Sequence, residues 1–120
     1  MKKDQVLRGE LYYAQLDPVI GSEQGGERPV LILQNNKGNH YSPTVIVAPL
    51  TTSIVKSPLP THVEISSSGL HSTSIVLLEQ IRTIDKMRIK RYIGCVTAQD
   101  MKQIGQAIAI SLGMTGDDGF

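Results

Sequence analysis

Short apolar runs, each closed by Gly, Pro or Asn, make up most of this chain, and one segment near its end repeats apolar residues at helical spacing. Leu11 to Leu16 is apolar and aromatic and stops at Asp17-Pro18, which predicts a first strand. Asp17 to Arg28 reads as a long loop. Pro29-Val30-Leu31-Ile32-Leu33 follows as a buried strand, with Pro first, where no ladder donor is needed. Asn35 to Pro43 is dense in Asn, Gly and Pro and reads as loop. Thr44 to Leu50 is a β-branched strand. Pro58 and Pro60 frame a turn before Thr61-His62-Val63-Glu64-Ile65, which alternates polar and apolar as a half-buried strand does. Ser66 to Gly69 reads as a flexible tip and Ser74 to Ile84 as an apolar-then-polar stretch. Asp85 to Lys90 suits a single helical turn, and Tyr92 to Val96 a last short strand.

The helical segment begins at Thr97, a capping residue with Asp100 at the reciprocal position. Met101, Ile104, Ile108 and Leu112 share one face, and Gly113 suits the stop. Many short strands and one terminal helix point to a mainly β chain with some α (α+β), a small antiparallel barrel carrying a C-terminal helix. The 120 residues suit a single domain over 1–120, with 114–120 a frayed tail.

Composition narrows the function. Twelve Lys and Arg against 11 Asp and Glu leave a formal charge of +1, which excludes polyanion binding by bulk charge, so any nucleic-acid site must be local. Four Tyr, one Phe and no Trp are too few for a long stacking platform. Cys95 is the single cysteine, which removes intramolecular disulfides and cysteine-based zinc cages. It stands in an apolar strand and is expected to be buried and inert. Met1 to Gln5 runs into polar sequence without an apolar leader core, and no apolar stretch has the length of a membrane span. A soluble, cytoplasmic protein with no membrane contact is the expectation.

Gly21-Ser22-Glu23-Gln24-Gly25-Gly26-Glu27-Arg28-Pro29 is neither a P-loop nor a dinucleotide fingerprint, since the Lys-Ser/Thr ending is missing and a strand follows. Its plain reading is a mobile hairpin loop with solvated charges. Its functional reading is a backbone that lets a ligand come close, beside an arginine that forks a phosphate. Register sharpens the second reading, and a one-residue slip would undo it. If Pro29–Asn35 pairs antiparallel with Thr44–Leu50, Arg28 falls opposite Thr51, with Cβ atoms about 4.5–5.5 Å apart. His40, His62 and His71 stand apart and read as surface or loop residues, with no metal motif; no metal and no cofactor is expected. Arg82, Lys86, Arg88, Lys90 and Arg91 crowd one segment. They read as a solvated turn or, on the sharper alternative, as a basic rim for a polyanion or an acidic partner.

The glycine-rich segment through Arg28-Pro29-Val30, then Gln34-Asn35, Ser42-Pro43-Thr44, Leu59-Pro60-Thr61-His62-Val63 and Leu78-Glu79-Gln80-Ile81-Arg82-Thr83-Ile84-Asp85-Lys86, together resemble the MazF/PemK family of toxin–antitoxin endoribonucleases. The likeness runs from about Gly9 to Leu112 and departs from the family at Ser66 to His71 and after Leu112. The resemblance implies an SH3-like barrel that forms a homodimer. It implies a metal-independent, sequence-specific endoribonuclease that cuts single-stranded messenger RNA, leaving a 2′,3′-cyclic phosphate and a 5′-hydroxyl end, and so arrests translation and growth. The family's catalytic Arg and Thr fall on Arg28 and Thr51. Ser22, Glu23, Gln24 and the strand residue Gln80 match positions that hold RNA, and an acidic, MazE-like antitoxin would lie across the same groove. Proton transfer is open between Arg28, whose guanidinium is a poor base, and Glu23. The rival function is protein-only inhibition, since toxins sharing this barrel can block DNA gyrase, and a pure binder has no use for the Arg28/Thr51 pair.

Overall fold

The structure, a computed structural model, describes residues 6–53, 59–66 and 69–115. Seven strands and two helices follow in the order β1 (Glu10–Gln15), β2 (Glu27–Ile32), α1 (Asn36–Tyr41), β3 (Thr44–Thr51), β4 (His62–Ile65), β5 (Ser74–Leu77), β6 (Arg82–Asp85), β7 (Ile89–Cys95) and α2 (Ala98–Ser111). Single 3-10 turns over Leu78–Gln80 and Lys86–Arg88 join β5 to β6 and β6 to β7. All strand pairs are antiparallel, in the order β4-β5-β3-β2-β1-β7, with β6 alongside β3.

Strand β3 is the hub. Its first half, Thr44 to Val47, pairs with β6, and its end, Leu50 and Thr51, pairs with β5. Pro49, which has no N–H to give, lies in the interval between those two ladders, where a missing donor is tolerated. Both faces of the central strands are covered. Leu31 and Leu33 of the β2 run join Ala48, Leu50, Val76 and Ile104 in one core cluster, whereas Val30 and Ile32 join Val45, Val47, Ile84 and Ile89 in the other. Side chains alternate between faces with period two, so covering both turns these strands into the continuous apolar runs of the sequence.

The ladders do not close into a ring. The ends of the sheet meet by packing instead: a Cβ at Gly69, in the β4–β5 connection, would lie 2.0 Å from the Ile93 carbonyl oxygen of β7. Gly69 has φ +96°, so both space and backbone require glycine there.

The C-terminal helix forms as its sequence predicts. Thr97 accepts a hydrogen bond from the Asp100 N–H at 3.0 Å. At the other end Gly113 N–H donates to Ile110 O at 3.1 Å and Met114 N–H to Ala109 O at 2.7 Å, with Gly113 at φ +71°. Those are the paired bonds of a Schellman stop. Its apolar face divides: Ile104 and Ala107 enter the core, while Leu112 is 61% exposed.

Residues 35–43, expected as loop, hold α1 instead. Asn35 Oδ1 accepts from Gly38 N–H at 2.9 Å and caps it, and it stops at Ser42, before Pro43. Asn and Gly are weak helix formers, so the cap and the buried Asn39, whose Nδ2 donates to Gln34 O at 2.9 Å, hold this turn. Strand β7 begins at Ile89 rather than at Tyr92. Among the described residues no helix is long and apolar enough to cross a membrane. The Met1–Gln5 start, Pro58, Ser67 and Ser68 of the tip, and residues 116–120 of the expected tail lie outside the described residues.

Candidate active site

The glycine-rich loop is drawn shut at its neck, where Leu16 N–H donates to Gly26 O at 2.9 Å. Inside, the Glu23 carboxylate accepts from Ile20 N–H at 2.8 Å and Glu23 N–H returns a bond to Ile20 O at 3.2 Å. The loop is thus folded on itself by its own backbone and Glu23. A Cβ at Gly25 would meet Val19 Cγ2 at 2.5 Å and Asp17 Oδ1 at 2.6 Å, so this wall of the loop must be bare backbone. Gly25 O then accepts from Arg28 Nε at 2.8 Å.

Strands β2 and β3 pair Val30 with Pro49, Leu31 with Ala48 and Ile32 with Val47. That is the register expected from the sequence, and continued two places it sets Arg28 opposite Thr51. Both residues line one cavity of about 380 Å³, with Gly25 and Gly26 on one side and Thr52 and Ser74 on the other. Among the described residues the Arg28 Nη groups have no partner, because its one bond uses Nε. Thr51 is 7% exposed, and its Oγ1 accepts from Ser53 N–H at 3.1 Å, which leaves the hydroxyl proton for another acceptor. A planar cation, an oriented hydroxyl and bare glycine backbone suit an anion with several oxygens.

A second cavity, of about 410 Å³, lies beyond the loop and is lined by Glu23, Gln24, Glu79, Gln80, Ile81 and Arg82. Gln80 Oε1 accepts from Gln24 N–H at 2.8 Å and tethers the loop to the Leu78–Gln80 turn. Gln24 Oε1 is buried without a partner among the described residues, an acceptor in want of a donor. The loop therefore borders both cavities. Ser22 is exposed and lines neither, and Gln80 sits on a 3-10 turn rather than in a strand.

Residues 7–112 match the family described as PemK-like, MazF-like toxin of type II toxin-antitoxin system. The chain belongs to this family. It is 55% identical over 109 residues to the endoribonuclease MazF of Staphylococcus saprophyticus, covering 89% of this chain and 91% of that relative. Among solved structures it is similar to an endoribonuclease in complex with its cognate antitoxin from Mycobacterial species (TM-score 0.73, 32% identity, 92% and 95% of the two chains). It is also similar to MazF from Deinococcus radiodurans (TM-score 0.79, 25% identity, 91% and 97%). Both cavities lie within the matched span of this toxin family.

Other expectations are redrawn. Cys95 is exposed, not buried. Its neighbours Gly94 and Val96 are both buried, so the two-residue period of β7 turns Cys95 outward. His40 and His71 are exposed, whereas His62 Nε2 lies 2.9 Å from Glu79 Oε2. Among the described residues no three His, Cys, Asp or Glu side chains group as a metal site.

Much of the basic run is neither a solvated turn nor an open rim. Arg88 donates to the carbonyls of Gln15, at 3.0 Å, and Asp17. Lys86 donates to Asn39 O, and Arg91 lies over the Tyr13 ring at 4.7 Å. Arg82 alone of the run lines either cavity.

Sequence reasoning missed Ser74, Thr52 and Glu79. Ser74 reaches the first cavity because β5 pairs with the end of β3, Thr51 opposite Ile75, a contact between distant segments that leaves no local pattern. Glu79 had one available signal, its place beside Gln80 in the Leu78–Lys86 stretch.

Proposed function

We propose that this chain is the toxin of a type II toxin–antitoxin pair and a sequence-specific, metal-independent endoribonuclease acting on single-stranded messenger RNA. The observation that carries the reading is the meeting of unpartnered Arg28 Nη groups and the Thr51 hydroxyl in one glycine-walled cavity. The reaction is attack of a ribose 2′-oxygen on the adjacent phosphorus. The P–O5′ bond breaks, the 2′-proton leaves to a base, and a proton reaches the departing 5′-oxygen. The products are a 2′,3′-cyclic phosphate and a 5′-hydroxyl. Arg28 offsets the charge growing on the phosphorane oxygens, and such preorganised stabilisation of developing charge is the main source of rate acceleration in chemistry of this kind. Thr51, its oxygen held by Ser53 N–H, donates to the phosphate and orients it. Arg28 and Glu23 are the two candidates for moving protons; Glu23, one oxygen of which accepts from Ile20 N–H, lines the neighbouring cavity rather than the one that holds Arg28 and Thr51.

Ser22, Glu23, Gln24 and Gln80 hold and read splayed bases, the usual mode for single strands. That Glu23, Gln24 and Gln80 line one cavity beside the loop supports this. A single toxin domain accounts for both cavities, and its target places it in the cytoplasm. An acidic antitoxin fits over the loop and Arg82. A second copy fits the apolar face where Ile46, Ile81 and Ile108 meet Leu112 and Met114, the last two 61% and 72% exposed.

The test is a long RNA incubated with purified protein in excess EDTA, followed by mapping and chemical analysis of the ends. Cleavage is expected to survive chelation and to stop at a mapped site when its ribose is replaced by deoxyribose, while binding to phosphates and base edges is retained. A deoxy-substituted bond that is still cut contradicts the internal nucleophile. RNA left intact supports protein-only inhibition instead.

A further inference from the structure

The Leu59–Val63 and Leu78–Lys86 stretches, distant in sequence, meet at one carboxylate. Thr61, 0% exposed, grips the Leu78–Gln80 turn twice: its carbonyl accepts from Leu78 N–H at 3.0 Å, and its Oγ1 donates to Glu79 Oε1 at 2.9 Å. The other carboxylate oxygen, Glu79 Oε2, faces His62 Nε2 at 2.9 Å. His62 Nδ1 accepts from Leu59 N–H at 3.2 Å, so in the neutral ring the proton sits on Nε2 and points at Glu79. From α2, Ser111 Oγ donates to Leu78 O at 2.8 Å. The next side chain along the turn is Gln80, whose Oε1 holds Gln24 N–H at 2.8 Å.

We infer that Glu79 is a positioning residue: held on both oxygens by Thr61 and His62, it fixes the Leu78–Gln80 turn so that Gln80 keeps Gln24 in the geometry that reads an RNA base. This rests on the reading proposed above for Gln24 and Gln80. A 3-10 turn has poorer hydrogen-bond geometry than an α-helix, and this one has no side-chain cap at its start, so its conformation is set from outside. A partly exposed carboxylate–imidazole contact adds little to global stability. Its effect is therefore local, and readout tolerates displacements of only about 0.5 Å.

The experiment compares wild type with Glu79→Ala and Glu79→Gln, reading amide exchange at Gln24 and cleavage of a preferred RNA against single-base variants of it. In Glu79→Ala the Gln24 amide is expected to exchange about tenfold faster and selectivity to fall about tenfold, the effect of loosening the single Gln24–Gln80 hydrogen bond. The loss should appear in KM for the preferred RNA, with kcat kept within about threefold. Glu79→Gln should restore both readouts, since its amide oxygen accepts from His62 and its NH₂ donates to Thr61. Wild-type exchange and selectivity in Glu79→Ala overturn the inference, as does equal loss in both variants, which would assign the effect to charge. If Glu79→Ala does not fold, Thr61→Val deletes one of the two bonds at nearly constant volume and is read the same way. A wild type that cuts no RNA defeats the proposed activity, while Gln24 exchange still decides whether the clasp positions the loop.

Discussion

Two arginines flank the glycine-rich loop, Arg28 where it runs into β2 and Arg88 beneath its root. Arg88 is committed to the protein, donating to the Gln15 and Asp17 carbonyls at the point where β1 gives way to the loop. Arg28 gives only Nε, to Gly25 O, and presents its Nη groups to a cavity. In sequence Arg88 belongs to the conspicuous basic run and Arg28 stands beside Glu27. Local charge density therefore does not locate an anion site here. A site is marked by donors that the fold orients and leaves without a partner.

Removing each arginine in turn tests this division most severely. Arg28→Ala, like Thr51→Ala, is expected to lower turnover by about 100- to 1,000-fold with the thermal midpoint unchanged. Arg28→Lys should recover only part, because an ammonium lacks the planar fork. Turnover near wild type in either alanine variant would move the chemistry elsewhere. Arg88→Ala should do the reverse, costing about 1.5–3 kcal/mol of stability for charge-assisted bonds to carbonyls, measured by denaturant unfolding. Its turnover should fall less than in Arg28→Ala, through loosening of the loop root alone. A stable Arg88→Ala that is as inactive as Arg28→Ala would put Arg88 in the site. Arg91→Ala is the smallest case: its contact with the Tyr13 ring is worth about 0.5–1 kcal/mol, and cleavage rates should not change.

The same contrast explains what could be read from the chain. The β2–β3 register was legible because the strand runs are β-branched and the connection is bounded by Asn and Pro, and register follows from the pattern that must face each core. The helix α2 was legible from its cap, period and stop. The helix α1 was not, since Asn36-Lys37-Gly38-Asn39 has low intrinsic propensity and depends on Asn39 being buried. Cys95 was misjudged because apolar neighbours in a strand imply the opposite face, not a shared one. At the site, Arg28 and the loop were legible, whereas Ser74 and the His62–Glu79 contact arise from β5 and β4 folding back. Nothing local in the sequence carries that.

The two cavities differ in when their walls exist. The β2–β3 hairpin that faces Arg28 towards Thr51 is complete once the chain has been made as far as Thr51. The turn bearing Gln80 waits for β4, β5 and finally α2, whose Ser111 closes on Leu78 O. Because a polypeptide emerges from its amino end, the Arg28–Thr51 pair is available first, Ser74 joins it with β5, and the tether from Gln80 to Gln24 is fixed almost last. A product of premature termination would carry the arginine, the threonine and the loop, but not the Gln80 tether that holds Gln24 in place.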